Sequence, residues 1–314
     1  MKIANLYSHL FGDEYLCYKK GQLYQEIKNA IKSIDANEFV KPSNDATKKG
    51  KKLYDQPAIN REFEKKLFPL GWKSLVVNYY VTGDLDVEKQ IVKINDATEQ
   101  KNAIEATGNE ALQTNNQVDF VKDRIAVEVQ FGKYFSVAYD LHVKHTFFYL
   151  RDDIDVGIEI IPTKNFERRL DTGVSWFENE VANVIREGRN NPTVPIVIIG
   201  IEPDELFDET YFFPEVENEY KKCIAEGKEW IDPYNDENSQ ESKQLAQYFK
   251  EKKAEAKRLK AEAKAAEKAE KERLKAEVKR LKVEAKAAEK AEKERIKAEA
   301  KVNKKATNEQ KTKE

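Results

Sequence analysis

The sequence has very few of the residues that build cross-linked or zinc-stabilised scaffolds. It contains two cysteines, Cys17 and Cys223, in 314 residues. Cysteines this far apart offer neither a disulfide framework nor a zinc-ligand spacing, which is typical of a protein in a reducing cytoplasm. No run approaches 18 apolar residues, and the first residues lack an apolar signal core. The sequence therefore predicts a cytoplasmic protein without a membrane span.

Common catalytic signatures are also missing. The sequence shows no Ser-His-Asp arrangement and no glycine-rich phosphate loop. His142 and His145 are three residues apart and could form a metal-ligand pair on one helical face, but no third ligand of suitable type stands nearby. Partly buried, hydrogen-bonded histidines on a core-facing helix are the favoured interpretation. These absences argue against a hydrolase with a Ser-His-Asp triad and against a nucleotide-binding phosphate loop.

The two signs of charge are unevenly divided between residues 1–250 and residues 251–314. Residues 251–314 carry 23 lysines and arginines against 14 acidic residues, a net charge of +9, whereas residues 1–250 carry 32 against 43, a net charge of −11. An acidic body argues weakly against a generic nucleic-acid binder but permits a local basic cleft. The basic loop at residues 41–52 is either a solvated loop, which is favoured, or an arm that contacts phosphates.

A predicted hairpin at residues 117–131 carries the most informative side chains. Its second strand alternates apolar and polar positions, so Glu128 and Gln130 share one face. A two-residue turn at Lys122-Asp123 would pair Asp119 with Ala126 and place Asp119 on that face as well, diagonal to Glu128. Two carboxylates and a carboxamide that converge suit a hard divalent cation such as Mg²⁺, which can activate water and stabilise charge on a phosphoryl oxygen.

The same pattern has a simpler interpretation. Half-exposed strands often carry Glu and Gln on the face that meets water, and this spacing matches by chance in many proteins. The residues alone leave a solvated strand face open as the alternative to a metal site.

Strands that alternate with helices predict the fold class. The strand patterns other than the hairpin lie at residues 74–82, 157–162 and 195–201. The helical patterns lie at residues 13–33, 59–67, 87–108, 135–149 and 174–187. The 135–149 segment is apolar on most sides and predicts a largely buried helix. This order predicts an α/β fold with a central mixed sheet flanked by helices.

The C-terminal region is a repeat. Residues 255–276 return at 277–298 with three changes, a period of 22. Pairs such as Glu267 and Lys271 each stabilise a helix by roughly 0.2–0.5 kcal/mol. The repeat predicts a long charged helix, and since 22 is twice 11, any supercoil would be slightly right-handed. The thin, alanine-rich apolar stripe favours a single helix, with self-association as a coiled coil the alternative.

Several motifs resemble the type II restriction endonucleases of the BstYI/BglII family, BstYI most closely. The hairpin segments 117–124 and 126–134 carry the resemblance to the catalytic hairpin of that family. Further matches to BstYI are Tyr7-Ser8-His9-Leu10, Gly71-Trp72-Lys73, Asn78-Tyr79-Tyr80-Val81-Thr82, Ala138-Tyr139-Asp140-Leu141 and Asp155-Val156-Gly157. The resemblance covers residues 1 to about 203 and does not include the repeat.

The resemblance implies a homodimeric, Mg²⁺-dependent nuclease with the PD-(D/E)XK restriction-endonuclease-like fold. It implies double-strand cleavage of DNA at a palindromic R^GATCY site with a 5′ overhang, and a cognate DNA methyltransferase as functional partner. Asp119 and Glu128 would hold the metal with the Val129 carbonyl. Gln130 would complete the catalytic set where most nucleases of this fold have lysine, and because it is neutral, the metal must supply most of the lowering of the pKa of the attacking water.

The resemblance also implies the DNA-reading residues and the extent of the nuclease domain, whereas composition and the repeat give the regions that follow it. Lys133, Tyr134 and Thr172 fall at DNA-contacting positions, and Lys133 could donate to guanine O6 and N7 in the major groove. The predicted regions are a nuclease domain at 1–205, an aromatic, acidic extension at 206–250, the helical repeat at 251–302 and a disordered tail at 303–314.

Two alternatives accompany the nuclease interpretation. One is a noncatalytic DNA-binding or scaffold protein on a nuclease fold, against which the intact Asp119, Glu128 and Gln130 argue. The other is the same nuclease with a different GATC-related site, because specificity rests on a few loop residues.

Overall fold

A computed structural model describes the backbone of residues 1–311 and the side chains of residues 1–280. Contacts divide the chain at Ser242 and Lys243 into two compact units. The strands are β1 Lys2–His9, β2 Val40–Pro42, β3 Lys52–Tyr54, β4 Lys73–Val81, β5 Leu112–Lys122, β6 Ile125–Val129, β7 Val156–Pro162 and β8 Ile196–Glu202. The helices are α1 Gly12–Lys19, α2 Gly21–Lys32, α3 Gln56–Leu67, α4 Leu85–Ile91, α5 Ala97–Ala106, α6 Tyr134–Tyr139, α7 His145–Leu150, α8 Lys164–Glu167, α9 Phe177–Glu187, α10 Pro214–Ala225 and α11 Gln240–Lys311.

Six strands form a mixed sheet in the order β1-β8-β7-β6-β5-β4. The three central strands β6, β7 and β8 run parallel to one another, and the pairs β1/β8, β5/β6 and β4/β5 are antiparallel. The central strands are buried on both faces, as expected for parallel strands that helices cover on both sides. The predicted central mixed sheet flanked by helices is confirmed.

Two separate cores form on the two faces of this sheet. On one face, α2 and α3 pack Ile27, Ile31 and Phe63 among alternate residues of β6, β7 and β8. On the other face, Val137 and Phe177 lie in a smaller core with the intervening residues of β7 and β8. The strand parity of the hairpin therefore decides which residues face the helices that follow it.

Several predicted helices are interrupted. The predicted helix at 13–33 is two helices, because Lys20 leaves helical geometry (φ −132°, ψ 27°) and α2 starts anew at Gly21. The predicted segment at 87–108 is likewise α4 and α5, with Asp84 and Asp96 each accepting backbone N–H bonds as N-caps. The segment at 135–149 is α6 and α7, joined by a π-helical turn, Asp140–Lys144.

The aromatic, acidic region that follows β8 is ordered against the basic loop. The Lys52 N–H donates to the Thr210 carbonyl at 2.8 Å, and the Lys51 ammonium lies 3.8 Å from the centre of the Tyr211 ring. Gly50 has a φ of +72°, and a Cβ there would overlap the Tyr234 ring at 2.0 Å. The loop at 41–52 is therefore fixed in place rather than freely solvated.

The C-terminal unit is a long charged helix, as the repeat predicts. Within α11, Lys252 pairs with Glu255 at 2.9 Å, and Arg258 pairs with Glu262 at 3.6 Å. Leu259 is about half exposed. The helical backbone continues through residues 303–311, where the sequence predicts disorder, and residues 312–314 of that predicted tail lie outside the described residues. Among the described helices, none is long and apolar enough to cross a membrane.

Candidate active site

The hairpin folds with a different turn from the predicted one. The observed register pairs Lys122 with Ile125 and Val121 with Ala126, so the turn residues are Asp123 and Arg124 rather than Lys122-Asp123. Both turn residues have positive φ, 46° and 67°, which is the geometry of a type I′ hairpin turn. The predicted pairing of Asp119 with Ala126 is therefore wrong by two residues. Since strand faces alternate with a period of two, this shift leaves Asp119 on the predicted face.

Arg124 holds this unusual turn in place. Its guanidinium contacts the Asp155 carboxylate at 2.8 Å and the Asp152 carboxylate at 2.6 Å. These charge-assisted bonds accompany a left-handed backbone conformation that is uncommon for arginine. The sequence pattern contained Lys122-Asp123 as a plausible turn, but the long-range partners of Arg124 could not be read from it.

Asp119 and Glu128 come together at the end of the hairpin. The Asp119 carboxylate accepts a bond from the Val129 N–H at 3.2 Å, beside Glu128. Glu128 is buried, with only 1% of the residue exposed, so the alternative of a solvated strand face is wrong for this residue. Burial, followed by the charges of Asp119 and Asp140, raises the pKa of Glu128 well above its ordinary range. A neighbouring cation would therefore strongly stabilise the ionised form of this carboxylate.

The cation beside Glu128 is Lys144, which the sequence analysis did not identify. Lys144 lies in the π-helical turn, and its Nζ is 2.6 Å from Glu128 Oε1 and 2.6 Å from Asp140 Oδ1. Burial disfavours the charge on Lys144, but the carboxylates of Glu128 and Asp140 outweigh it and raise its pKa. Burial disfavours the charged form of Asp140 as well and raises its pKa. The only sequence signal was a pair of opposite charges four residues apart within an apolar helix.

Gln130 is oriented by this buried cluster. Its Nε2 donates to Asp140 Oδ2 at 2.8 Å, and its Oε1 accepts from the Gly132 N–H at 2.7 Å. A Cβ at position 132 would lie 2.4 Å from Gln130 Oε1, so glycine permits this close approach. Asp119, Glu128 and Gln130 therefore occupy one site, as their shared strand face predicts.

A second buried pair lies behind the cluster. Glu159 of β7 is in register with Glu128 of β6, and the Glu159 Oε2 is 3.3 Å from His145 Nε2. Both side chains are fully buried. Burial raises the pKa of Glu159 well above its ordinary range and lowers the pKa of His145 to about 3. Burial therefore favours the neutral form of both groups, and the pair lies close to the charged cluster.

The two histidines do not form a metal-ligand pair. His145 turns into the core, whereas His142 contacts the Glu187 carboxylate at 3.3 Å. The interpretation of both as packed, hydrogen-bonded histidines is confirmed. The segment that carries them is less buried than predicted, because Phe135 and Leu150 are 63% and 74% exposed. It is an amphipathic element that covers the site with one face.

The donor set at the end of the hairpin suits a hard cation. Within the described residues, no three His, Cys, Asp or Glu side chains form a metal-binding group. Glu128 and Asp140 are instead bridged by Lys144, which leaves Asp119 and Glu128 as the two carboxylates that could share a cation. Mg²⁺ is commonly held by one or two carboxylates and keeps several waters, so this set is sufficient for it.

The predicted DNA-contacting residues also lie together. The Lys133 ammonium donates to the Thr172 carbonyl, and the Tyr134 N–H donates to the Gly173 carbonyl at 3.2 Å. Thr172 Oγ1 is 3.3 Å from Thr47 Oγ1, which brings the basic loop to the same place. The Tyr134 side chain is largely exposed. The structure thus assembles a polar surface from three segments that are distant in sequence.

Comparison with known protein families decides the class of this site. The family model for restriction endonuclease BglII/BglIII matches residues 4–201, which is more than half of the chain and includes the hairpin and the six-stranded sheet from Ala4 to Ile201. The chain belongs to this family. It is a type II restriction endonuclease, an enzyme that cleaves DNA at specific sites.

Solved structures of a family member are similar to the chain. The crystal structure of restriction endonuclease BglII complexed with a DNA 16-mer is 20% identical, with a TM-score of 0.44, over 65% of this chain and 77% of that chain. Free BglII is 20% identical, with a TM-score of 0.41, over 65% of this chain and 82% of that one. Comparison with curated protein sequences finds no match.

Proposed function

We propose that this restriction endonuclease makes Mg²⁺-dependent double-strand cuts at a palindromic R^GATCY site, leaving 5′ overhangs. The observation that carries the proposal is the placement of Asp119 beside the buried Glu128, with Gln130 held on the same face. The cytoplasm is the proposed location, and a DNA methyltransferase that protects the same site is the proposed functional partner.

The roles of the site residues follow from their chemistry. Asp119, Glu128 and the Val129 carbonyl would hold Mg²⁺, which when bound activates water and offsets charge on the phosphoryl group. Gln130 is neutral, and its amide is already engaged with Asp140 and Gly132. It can orient a nearby water through Oε1, but it cannot act as a charged acid or base.

Specificity is proposed to come from the surface around Thr172. Lys133 can donate to a guanine in the major groove, and Thr172 and Tyr134 can contact adjacent bases or phosphates. BglII itself has been solved with a DNA 16-mer. A palindromic site is naturally read by a twofold dimer in which each subunit cleaves one strand, so a homodimer on double-stranded DNA is the proposed assembly.

Replacing Glu128 tests the catalytic assignment. Glu128→Ala should reduce Mg²⁺-dependent cleavage of plasmid DNA by roughly a thousandfold or more, because a metal ligand contributes several kcal/mol to the reaction. Specific DNA binding, measured by mobility shift without Mg²⁺, should remain. Cleavage at the wild-type rate by this variant would disprove the role of Glu128.

The matched control is Glu26→Ala. Glu26 is also a largely buried carboxylate that accepts from a lysine, Lys122, at 2.8 Å, but it lies outside the cluster. Its removal should leave the cleavage rate within a few-fold of wild type. Mapping the cut ends on a plasmid of known sequence tests the proposed site: ends that map to other sequences would refute R^GATCY and leave the nuclease assignment intact.

A further inference from the structure

A largely buried lysine links Glu128, Asp140 and Gln130 of the active site. Lys144 contacts Glu128 and Asp140 at 2.6 Å each, and Asp140 in turn accepts from Gln130 at 2.8 Å. Gln130 then accepts from the Gly132 N–H. An unbroken hydrogen-bonded chain thus runs from the proposed metal ligand to the proposed water-orienting amide, and Lys144 is its central link.

The charges explain why such a lysine is needed. The negative charges of Asp119 and Asp140 lie close enough to raise the pKa of Glu128. Buried like charges repel strongly, and an uncompensated buried carboxylate is costly. The Lys144 ammonium is a counter-charge within contact distance of two of them. Position 130, directly after β6, carries a neutral glutamine and so supplies no counter-charge.

The backbone that places Lys144 is itself unusual. The His145 N–H donates to the Asp140 carbonyl, the i to i+5 bond of a π-helical turn. Single π turns within α-helices occur frequently at functional sites. Here the wider turn lies between α6 and α7, and it brings Asp140 and Lys144 into contact with Gln130 and Glu128 at the end of β6.

We propose that Lys144 is a positioning residue of the nuclease site. It holds Oε1 of Glu128, so that the other carboxylate oxygen is available beside Asp119, and through Asp140 it fixes the amide of Gln130. It also supplies, from a helix, the positive charge that position 130 lacks. This inference rests on the proposed cation site at Asp119 and Glu128.

The test combines cation affinity with cleavage. Ca²⁺ takes the same type of oxygen ligands as Mg²⁺ and is titrated calorimetrically into the full-length protein bound to a GATC-containing duplex. Lys144→Met should bind Ca²⁺ on the order of tenfold more tightly, because a positive charge near the cation is removed. Its maximal cleavage rate in saturating Mg²⁺ should fall roughly 10- to 100-fold, the usual effect of losing a group that orients a metal ligand.

Asp140→Asn should shift the cation affinity in the opposite direction. It removes a negative charge, so Ca²⁺ binding should weaken. Cleavage should fall by a similar roughly 10- to 100-fold, because asparagine has one acceptor oxygen and cannot accept from Lys144 and Gln130 as the two oxygens of Asp140 do. The double variant removes one charge of each sign. It should bind Ca²⁺ nearly as wild type does and still cleave slowly, and its balanced charge keeps the test valid if Lys144→Met does not fold.

Two further variants separate positioning from general damage. Lys122→Met removes a lysine that donates to Glu26 and to the Leu70 carbonyl outside the cluster, and it should leave Ca²⁺ affinity and cleavage near wild type. Lys144→Arg keeps the charge and should retain wild-type Ca²⁺ affinity with a loss of cleavage below tenfold.

The possible outcomes are distinct. Ca²⁺ binding by Lys144→Met that is no tighter than wild type, or cleavage within twofold of wild type, overturns the role of Lys144. If only the double variant folds, cleavage by that variant at the wild-type rate also overturns the role of Lys144. Ca²⁺ binding that survives Glu128→Ala would instead overturn the proposed cation site, so the two failures can be told apart.

Discussion

The neutral pair of His145 and Glu159 gives a prediction about stability and pH. His145 is fully buried, and its pKa is lowered from 6.5 to about 3. Its contribution to stability is present above pH 6.5 and is lost as the pH falls from 6.5 toward 3, because the unfolded chain takes up a proton that the folded chain refuses. At pH 5 this amounts to about 2 kcal/mol, at roughly 1.4 kcal/mol per pH unit below 6.5.

Glu159 acts in the opposite sense. Burial raises its pKa well above 4.5, so the folded chain keeps a proton that the unfolded chain loses. Its contribution is present below pH 4.5 and is lost as the pH rises from there through its folded-state pKa. Between pH 5 and about 6.5 the two groups therefore have opposing slopes, which offset each other in the wild-type protein, whereas above pH 6.5 only the slope of Glu159 remains.

Single substitutions separate the two slopes. Relative to wild type, His145→Gln should become more stable by about 2 kcal/mol when the pH falls from 7.5 to 5, because the proton uptake of the unfolded state no longer opposes folding. Glu159→Gln mimics the protonated carboxyl and should gain stability relative to wild type as the pH rises over the same interval. The assay is equilibrium urea unfolding at several pH values, followed by tryptophan fluorescence.

A charged pair would give the reverse result. If His145 were protonated and Glu159 ionised in the folded protein, His145→Gln would lose stability relative to wild type as the pH falls from 7.5 toward 6.5, and the difference would no longer change below 6.5. Differences that do not depend on pH would show that neither group changes its proton affinity on folding. Either result would refute the assignment of a neutral pair behind the active site.

Two other predictions concern packing and the C-terminal helix. Gly157→Ala should destabilise the protein by about 1–3 kcal/mol in urea unfolding, because its Cβ would lie 2.6 Å from His145 Nδ1. The control Gly21→Ala has no atom within 4 Å of its Cβ and should be neutral or stabilising. Equal effects of the two substitutions on stability would contradict this packing. Removing residues 251–314, with their net charge of +9, should weaken DNA binding mainly at low salt and make the dependence of affinity on salt less steep; an unchanged dependence would favour a spacer or self-associating role.

Local pattern was sufficient for the face of the hairpin, because strand alternation survives an error of two in register. Asp119, Glu128 and Gln130 therefore lie together although the predicted turn was wrong. Local pattern did not predict the breaks in the helices at Lys20 and at Asp140–Lys144. The burial of Glu128 was not predictable in this way. It depends on which helix covers β6, and that is decided by packing between segments separated along the chain.

Lys144 shows why a site can be found from sequence and still be incomplete. Sequence reasoning assigned the absence of lysine at position 130 to a greater demand on the metal, because only the strand was in view. The helix at 134–150 returns over that strand, and its π-helical turn places an ammonium 2.6 Å from Glu128. The positive charge is thus present but comes from another element, and its position depends on one irregular turn rather than on strand alternation. An i to i+4 Asp-Lys pair in an apolar helix, facing a strand with unpaired carboxylates, is the pattern that would have predicted it.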